Sequence, residues 1–168
     1  GELRDGPAYK CSANALATRP RIKILNKKVE NSIFKTAEPL SVMEDKYNKP
    51  FIDKSVDYLL LSHPHDSING VTQDKTVDDT MYRLNQALEL AEAASNTACK
   101  NIVKNIDFSK YSEDDMLIVL FNTLPYKRCE VVKLYIDFPQ DMNVWEFELY
   151  DGDEKLESYN PTHGNEDK

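Results

Sequence analysis

Residues 76–106, TVDDTMYRLNQALELAEAASNTACKNIVKNI, decide how this chain reads. Val77, Met81, Leu84, Leu88, Ala91, Ser95, Ala98, Ile102 and Ile106 follow one another in steps of three and four residues. That spacing lays them along one stripe of an amphipathic helix. A helix of this span is about 40 Å long. Ala91, Ala94 and Ala98 keep part of the stripe shallow, which lets neighbouring helices approach closely. Thr76, with Asp79 three residues later, has the form of a capping box at its start.

Upstream, the same period recurs. Ile22, Leu25, Val29, Ile33, Ala37 and Leu40 form one stripe, and Pro20 suits its first turn. Pro39 interrupts that pattern and predicts a kink or a stop near Glu38. After Pro50, the residues Ile52, Val56, Leu59, Leu60 and His63 share a face of a shorter helix. Three helices with matching stripes and modest connections predict an antiparallel three-helix bundle. Residues 1–18 show no sustained period and read as irregular. The chain opens without an initiator methionine, as a piece of a longer protein would.

Downstream of Asp107 the texture changes. Met116–Phe121 is a short apolar run, and Val131–Ile136 is rich in β-forming residues. From Val144 to Tyr150, Trp145, Phe147 and Leu149 alternate with Glu146 and Glu148, the period of a half-buried strand. Asn122–Pro125 and Asp151-Gly152-Asp153 supply turns. So few strands do not make a stable sandwich alone. The expected fold class is therefore α+β by segments, a three-helix bundle followed by the first strands of a β-sandwich. The divisions fall at 1–18, 19–107, 108–159 and a polar tail at 160–168, where disorder is expected.

Composition excludes several classes. With 168 residues, 40% hydrophobic and 30% charged, the chain has material for a core. A net charge of -8 argues against nucleic-acid binding, which needs a basic face. No run approaches the roughly 18 apolar residues of a membrane span, and no signal-peptide pattern opens the chain. Three widely spaced cysteines, Cys11, Cys99 and Cys129, form neither a disulfide framework nor a zinc ribbon. Cys99 falls on the apolar face of its helix and reads as a small buried hydrophobe. A reducing, cytoplasmic setting fits best.

The chemistry concentrates in Leu61-Ser62-His63-Pro64-His65-Asp66-Ser67-Ile68-Asn69-Gly70, which holds two of the three histidines. A helix ending here leaves imidazole and carboxylate at an element end, within reach of a ligand. His63 and His65 share a side only if the segment is extended, which Pro64 favours at His63. Zinc ordinarily takes three or four protein ligands, and no further ones lie near in sequence. Three readings stay open: a capping or core histidine pair, a complete metal site within the chain, or one arm of a site finished by residues elsewhere. Asp66 also reads as a turn or cap residue. Five glycines provide no phosphate loop, and no Gly-X-Ser-X-Gly elbow occurs. The acidic clusters and β-region aromatics read as solvated faces and packing.

Leu59–Gly70 resembles the His-Asp-(Ser/Ala)-Ile-x-Gly motif of the family 38 glycoside hydrolases, the zinc-dependent retaining α-mannosidases. Other segments agree in order along nearly the whole chain to about Tyr159. Gly1-Glu2-Leu3-Arg4 is similar to the end of that family's catalytic domain. Thr18-Arg19-Pro20 followed by Ile22-Lys23 resembles the start of its helical bundle. Ala37-Glu38-Pro39-Leu40 resembles a further family segment, and Val119-Leu120-Phe121-Asn122-Thr123-Leu124-Pro125 is similar to the Asn-Pro-Leu-Pro segment that opens the family's C-terminal β region. The resemblance implies that His65 completes the ligand set of one zinc ion held mainly by upstream residues. It implies that Asp66 hydrogen-bonds sugar hydroxyls, that Glu2 occupies the general acid/base position, and that the nucleophile lies outside this chain. His63 matches no ligand position. The implied partners are a mannoside substrate and the remaining domains of the same bacterial-type enzyme. A homo-oligomer stays compatible with all of this. The alternative is a helical interaction module without metal chemistry.

Overall fold

The computed structural model describes residues 17–44, 46–112, 115–144 and 146–158. It divides into two compact units, Gly1–Arg128 and Cys129–Lys168. The described chain is mostly helical, with one pair of antiparallel strands near its C-terminal end.

In the first unit α1 spans Pro20–Ser32, α2 Glu38–Met43, α3 Lys49–Leu61, α4 His65–Asn69 and α5 Asp74–Lys104. Proline stands in the first turn of α1, α2 and α3, where its missing N–H costs nothing. The long helix α5 is the organising element and packs against α1, α2, α3 and α4. Its buried face includes Val77, Leu84, Ala87, Leu88, Ala91, Ala94 and Ala98. All but Ala98 join Ile22, Val29, Ile33, Ala37, Ile52 and Leu59 in one continuous core. The small residues on α5 let α3 come close enough for the Ser55 hydroxyl to donate to the Ala87 carbonyl at 2.6 Å.

Several expectations from sequence need correction. Of the kink or stop expected near Glu38, no stop occurs, although the regular α-helix is interrupted there. A π-helical turn, Ile33–Ala37, joins α1 to α2, and the Glu38 N–H reaches back to the Ile33 carbonyl. The wider turn carries the chain past a proline that would break a regular α-helical ladder. The capping box at Thr76 does not form. The helix begins earlier, with Gln73 as its N-cap and no side-chain cap, and the Thr76 carbonyl accepts from Thr80 instead. Asp74 in the first turn supplies the negative charge that the helix dipole favours there. Helix α5 ends at Lys104, so Ile106 lies beyond it. Leu60 is not on the inner face of α3 but 59% exposed, while its neighbour Leu59 is buried. Cys99 is only partly buried, and that burial raises its thiol pKa.

In the second unit a 3₁₀ turn covers Gln140–Met142, and β1 (Leu149–Asp151) pairs with β2 (Glu154–Leu156). Asp151 faces Glu154 across a two-residue loop, Gly152-Asp153, with Gly152 at φ 61°. Glycine with positive φ at the first loop position is the type II′ arrangement that matches strand twist. Phe138 and Phe147 pack with ring centroids 5.3 Å apart. The expected strand over Val131–Ile136 is absent: Val131 is 99% exposed, and no ladder forms there. A strand needs a partner for its backbone groups, and the described residues supply none at this point. Of the alternating stretch ending at Tyr150, only its last residues join a strand. Trp145, Tyr159 and the polar tail at 160–168 lie outside the described residues.

Candidate functional site

The His-Pro-His-Asp segment is built by the end of one helix and the start of another. Helix α3 closes at Ser62, whose N–H bonds the Leu59 carbonyl at 3.0 Å and whose hydroxyl reaches the Tyr58 carbonyl at 3.1 Å. Pro64 has no N–H to continue α3 and instead sits at the N-cap of α4 with extended backbone. Its carbonyl accepts from Ser67 and Ile68, which closes a single helical turn. Gly70, at φ 76°, ends that turn, and its N–H bonds the Asp66 and Ser67 carbonyls.

This turn is fixed to the start of α1. Lys23 Nζ donates to the Asn69 carbonyl at 2.8 Å and also to the Thr18 carbonyl. Partial burial lowers the Lys23 pKa. Arg19 lies in the left-handed region at φ 47°, and its guanidinium bonds Asp74 at the start of α5 at 2.7 Å. A Cβ on Gly70 would stand 3.3 Å from the Arg19 Cβ, so the site needs glycine for space as well as for φ. Ile68 packs against the core from the same turn. Thus the Thr18-Arg19-Pro20 and His65–Gly70 segments, 46 residues apart at Lys23 and Asn69, form one structure.

The two histidines separate. His63 is half-buried, with Nε2 at 2.8 Å from Asn26 Oδ1. Asn26 turns its amide nitrogen to Glu30 at 2.8 Å, so its oxygen faces the ring. That oxygen only accepts, and His63 Nε2 therefore carries the proton. His63 also lines a shallow groove of about 220 Å³ with Glu30, Phe34 and Leu59. His65, in contrast, is 87% exposed, and its Nε2 lies 3.2 Å from Asp66 Oδ1. The pair faces solvent at the N-terminal end of α4.

Asn26 is a site-shaping residue that no motif marks, and Lys23, part of a segment that resembles the family's, carries a contact that the sequence did not reveal. The signal was present: Asn26 is a polar residue four positions after Ile22, on the buried stripe of α1. Glu2 lies outside the described residues. No group of three or more histidine, cysteine or acidic side chains that could hold a metal occurs among the described residues. No described helix is long and apolar enough to cross a membrane.

Fold and site together define a helical module that presents a histidine–carboxylate pair on a one-turn helix. The model of the alpha mannosidase middle domain matches residues 13–102, more than half of the chain, and the chain belongs to that family, the middle domain of the family 38 α-mannosidases. No curated protein and no solved structure shows a significant match.

Proposed function

We propose that this chain is the central part of a zinc-dependent retaining α-mannosidase and that His65 is its contribution to the zinc site. The observation that carries the reading is the contrast between the two imidazoles within a chain of the α-mannosidase middle-domain family. His63 is committed to Asn26, whereas His65 stands exposed with a carboxylate beside it. An exposed imidazole with one carboxylate neighbour fits a zinc ligand, and a single such ligand fits a site completed by other domains.

The zinc, when bound, would supply Lewis-acid polarisation of sugar hydroxyls. His65 would hold it at the N-terminal end of α4. Asp66 would hydrogen-bond the hydroxyls of a terminal α-mannoside and fix the ring for attack. Lys23, Arg19 and Gly70 would hold the turn in place, since small displacements of positioning groups cost rate steeply. Glu2 would act as general acid/base, paired with a nucleophile from the catalytic domain about 5–5.5 Å away, as retention requires. The helical unit would act as a three-helix bundle, with α1 to α2 as one member and α3 and α5 as the others. Residues 1–18 would belong to the end of the catalytic domain, 19–107 to the bundle and 108–159 to the start of a β-domain.

The test compares His65→Ala and His63→Ala in the intact parent enzyme, by zinc content and hydrolysis of an aryl α-mannoside. The His65 variant loses both, and the His63 variant keeps its zinc. A His65 variant with full zinc and full rate would instead favour a helical interaction module without metal chemistry.

A further inference from the structure

Two segments of the first unit remain without a role: Ala37-Glu38-Pro39-Leu40 and Asn122-Thr123-Leu124-Pro125. The structure brings them together. Pro39 stands four residues after Lys35 and has no N–H, so the donor that a regular helix offers to the Lys35 carbonyl is missing. That carbonyl lies in the π-helical turn and accepts the Thr123 hydroxyl at 2.6 Å. Thr123 is held in place by its own loop. Asn122 Nδ2 donates to the Tyr126 carbonyl at 2.7 Å, and Asn122 Oδ1 accepts from the Leu124 N–H at 3.2 Å. The loop has no regular secondary structure of its own, and 88 residues separate the two ends of the bond.

We infer that Pro39 and Thr123 form a latch: the proline exposes a backbone acceptor on the helix, and the threonine hydroxyl docks residues 119–126 onto it. The π turn then has a purpose beyond tolerating proline. It carries a carbonyl that Pro39 cannot serve, and a distant side chain donates to it. The latch fixes where the chain runs after α5 has ended. It makes the effect of Thr123 conditional on the residue at position 39. With alanine there, the helix regains a donor for Lys35 and the hydroxyl becomes redundant.

A double-mutant cycle in the 168-residue chain tests this. Folding equilibrium constants come from urea unfolding, and exposure of residues 119–126 from hydrogen exchange. Thr123→Val lowers the folding constant about three- to tenfold, the range of one net hydrogen bond. It also raises exchange in residues 119–126 while leaving α5 protected. Thr123→Ser, which keeps the hydroxyl, stays within about twofold of the parent chain. In the Pro39→Ala background, Thr123→Val changes the constant by less than about twofold. Equal losses from Thr123→Val in both backgrounds, or equal losses from Val and Ser, would overturn the latch. Should Pro39→Ala fail to fold, the Val and Ser pair with the exchange measurement still decides: a loss confined to Val and to residues 119–126 supports the latch, and any other pattern overturns it.

Discussion

At the scale of single residues, the site depends on positions that carry no chemistry themselves. Gly70 combines a left-handed backbone with a close approach to Arg19. Gly70→Ala should cost about 1–2 kcal/mol from the φ penalty and the crowding together, measured as a shift in the urea midpoint at unchanged slope. Asn26→Ala should cost about 1 kcal/mol, because the half-buried His63 N–H loses its acceptor; a urea titration checks it. The resemblance already set His63 apart from His65, but what holds His63 in place was not legible. Its partner is Asn26, on a helix 37 positions away, and spacing along the chain carries no trace of that contact. Asn26 itself was recognisable as a polar residue on an apolar stripe, a clue that reads as function only once its partner is known.

At the scale of elements, the helices were legible because burial imposes a period that the sequence cannot hide. The nine-residue stripe centred on Ala91 predicted α5 to within a few residues at each end. Its start was misread, since Thr76 and Asp79 satisfy a capping pattern that the helix passes through rather than begins at. The β-rich stretch Val131–Ile136 forms no strand, because β-propensity expresses itself only against a partner strand. The tight seam between α3 and α5 gives a further prediction. Ala91 is fully buried in the core, and Ala91→Leu should cost about 1–3 kcal/mol by overpacking, seen as a lower thermal midpoint. Ser55→Ala removes the bond across the same seam and leaves the buried Ala87 carbonyl short of that donor. Its cost of about 1–2 kcal/mol should read out in urea unfolding.

At the scale of the whole molecule, a helical unit with one continuous core precedes a second unit whose described residues form a two-stranded ladder. The helical unit carries its candidate chemistry at one end, on α4, tied by Lys23 and Arg19 to the beginnings of α1 and α5. A single exposed imidazole holds no zinc tightly by itself, so on the proposed reading the metal would lie between this module and other domains. The fold class could be read in outline from the chain. The proposed zinc site could not, because a site that several domains complete would leave only one corner of it in any one of them. The most direct measurement is zinc stoichiometry, together with kcat/KM on an aryl α-mannoside, in the parent enzyme and its His65→Ala and His63→Ala variants. The account predicts that His65→Ala strips the zinc and lowers kcat/KM by at least about 100-fold, while His63→Ala keeps one zinc per chain. Full zinc and an unchanged rate in His65→Ala would contradict it.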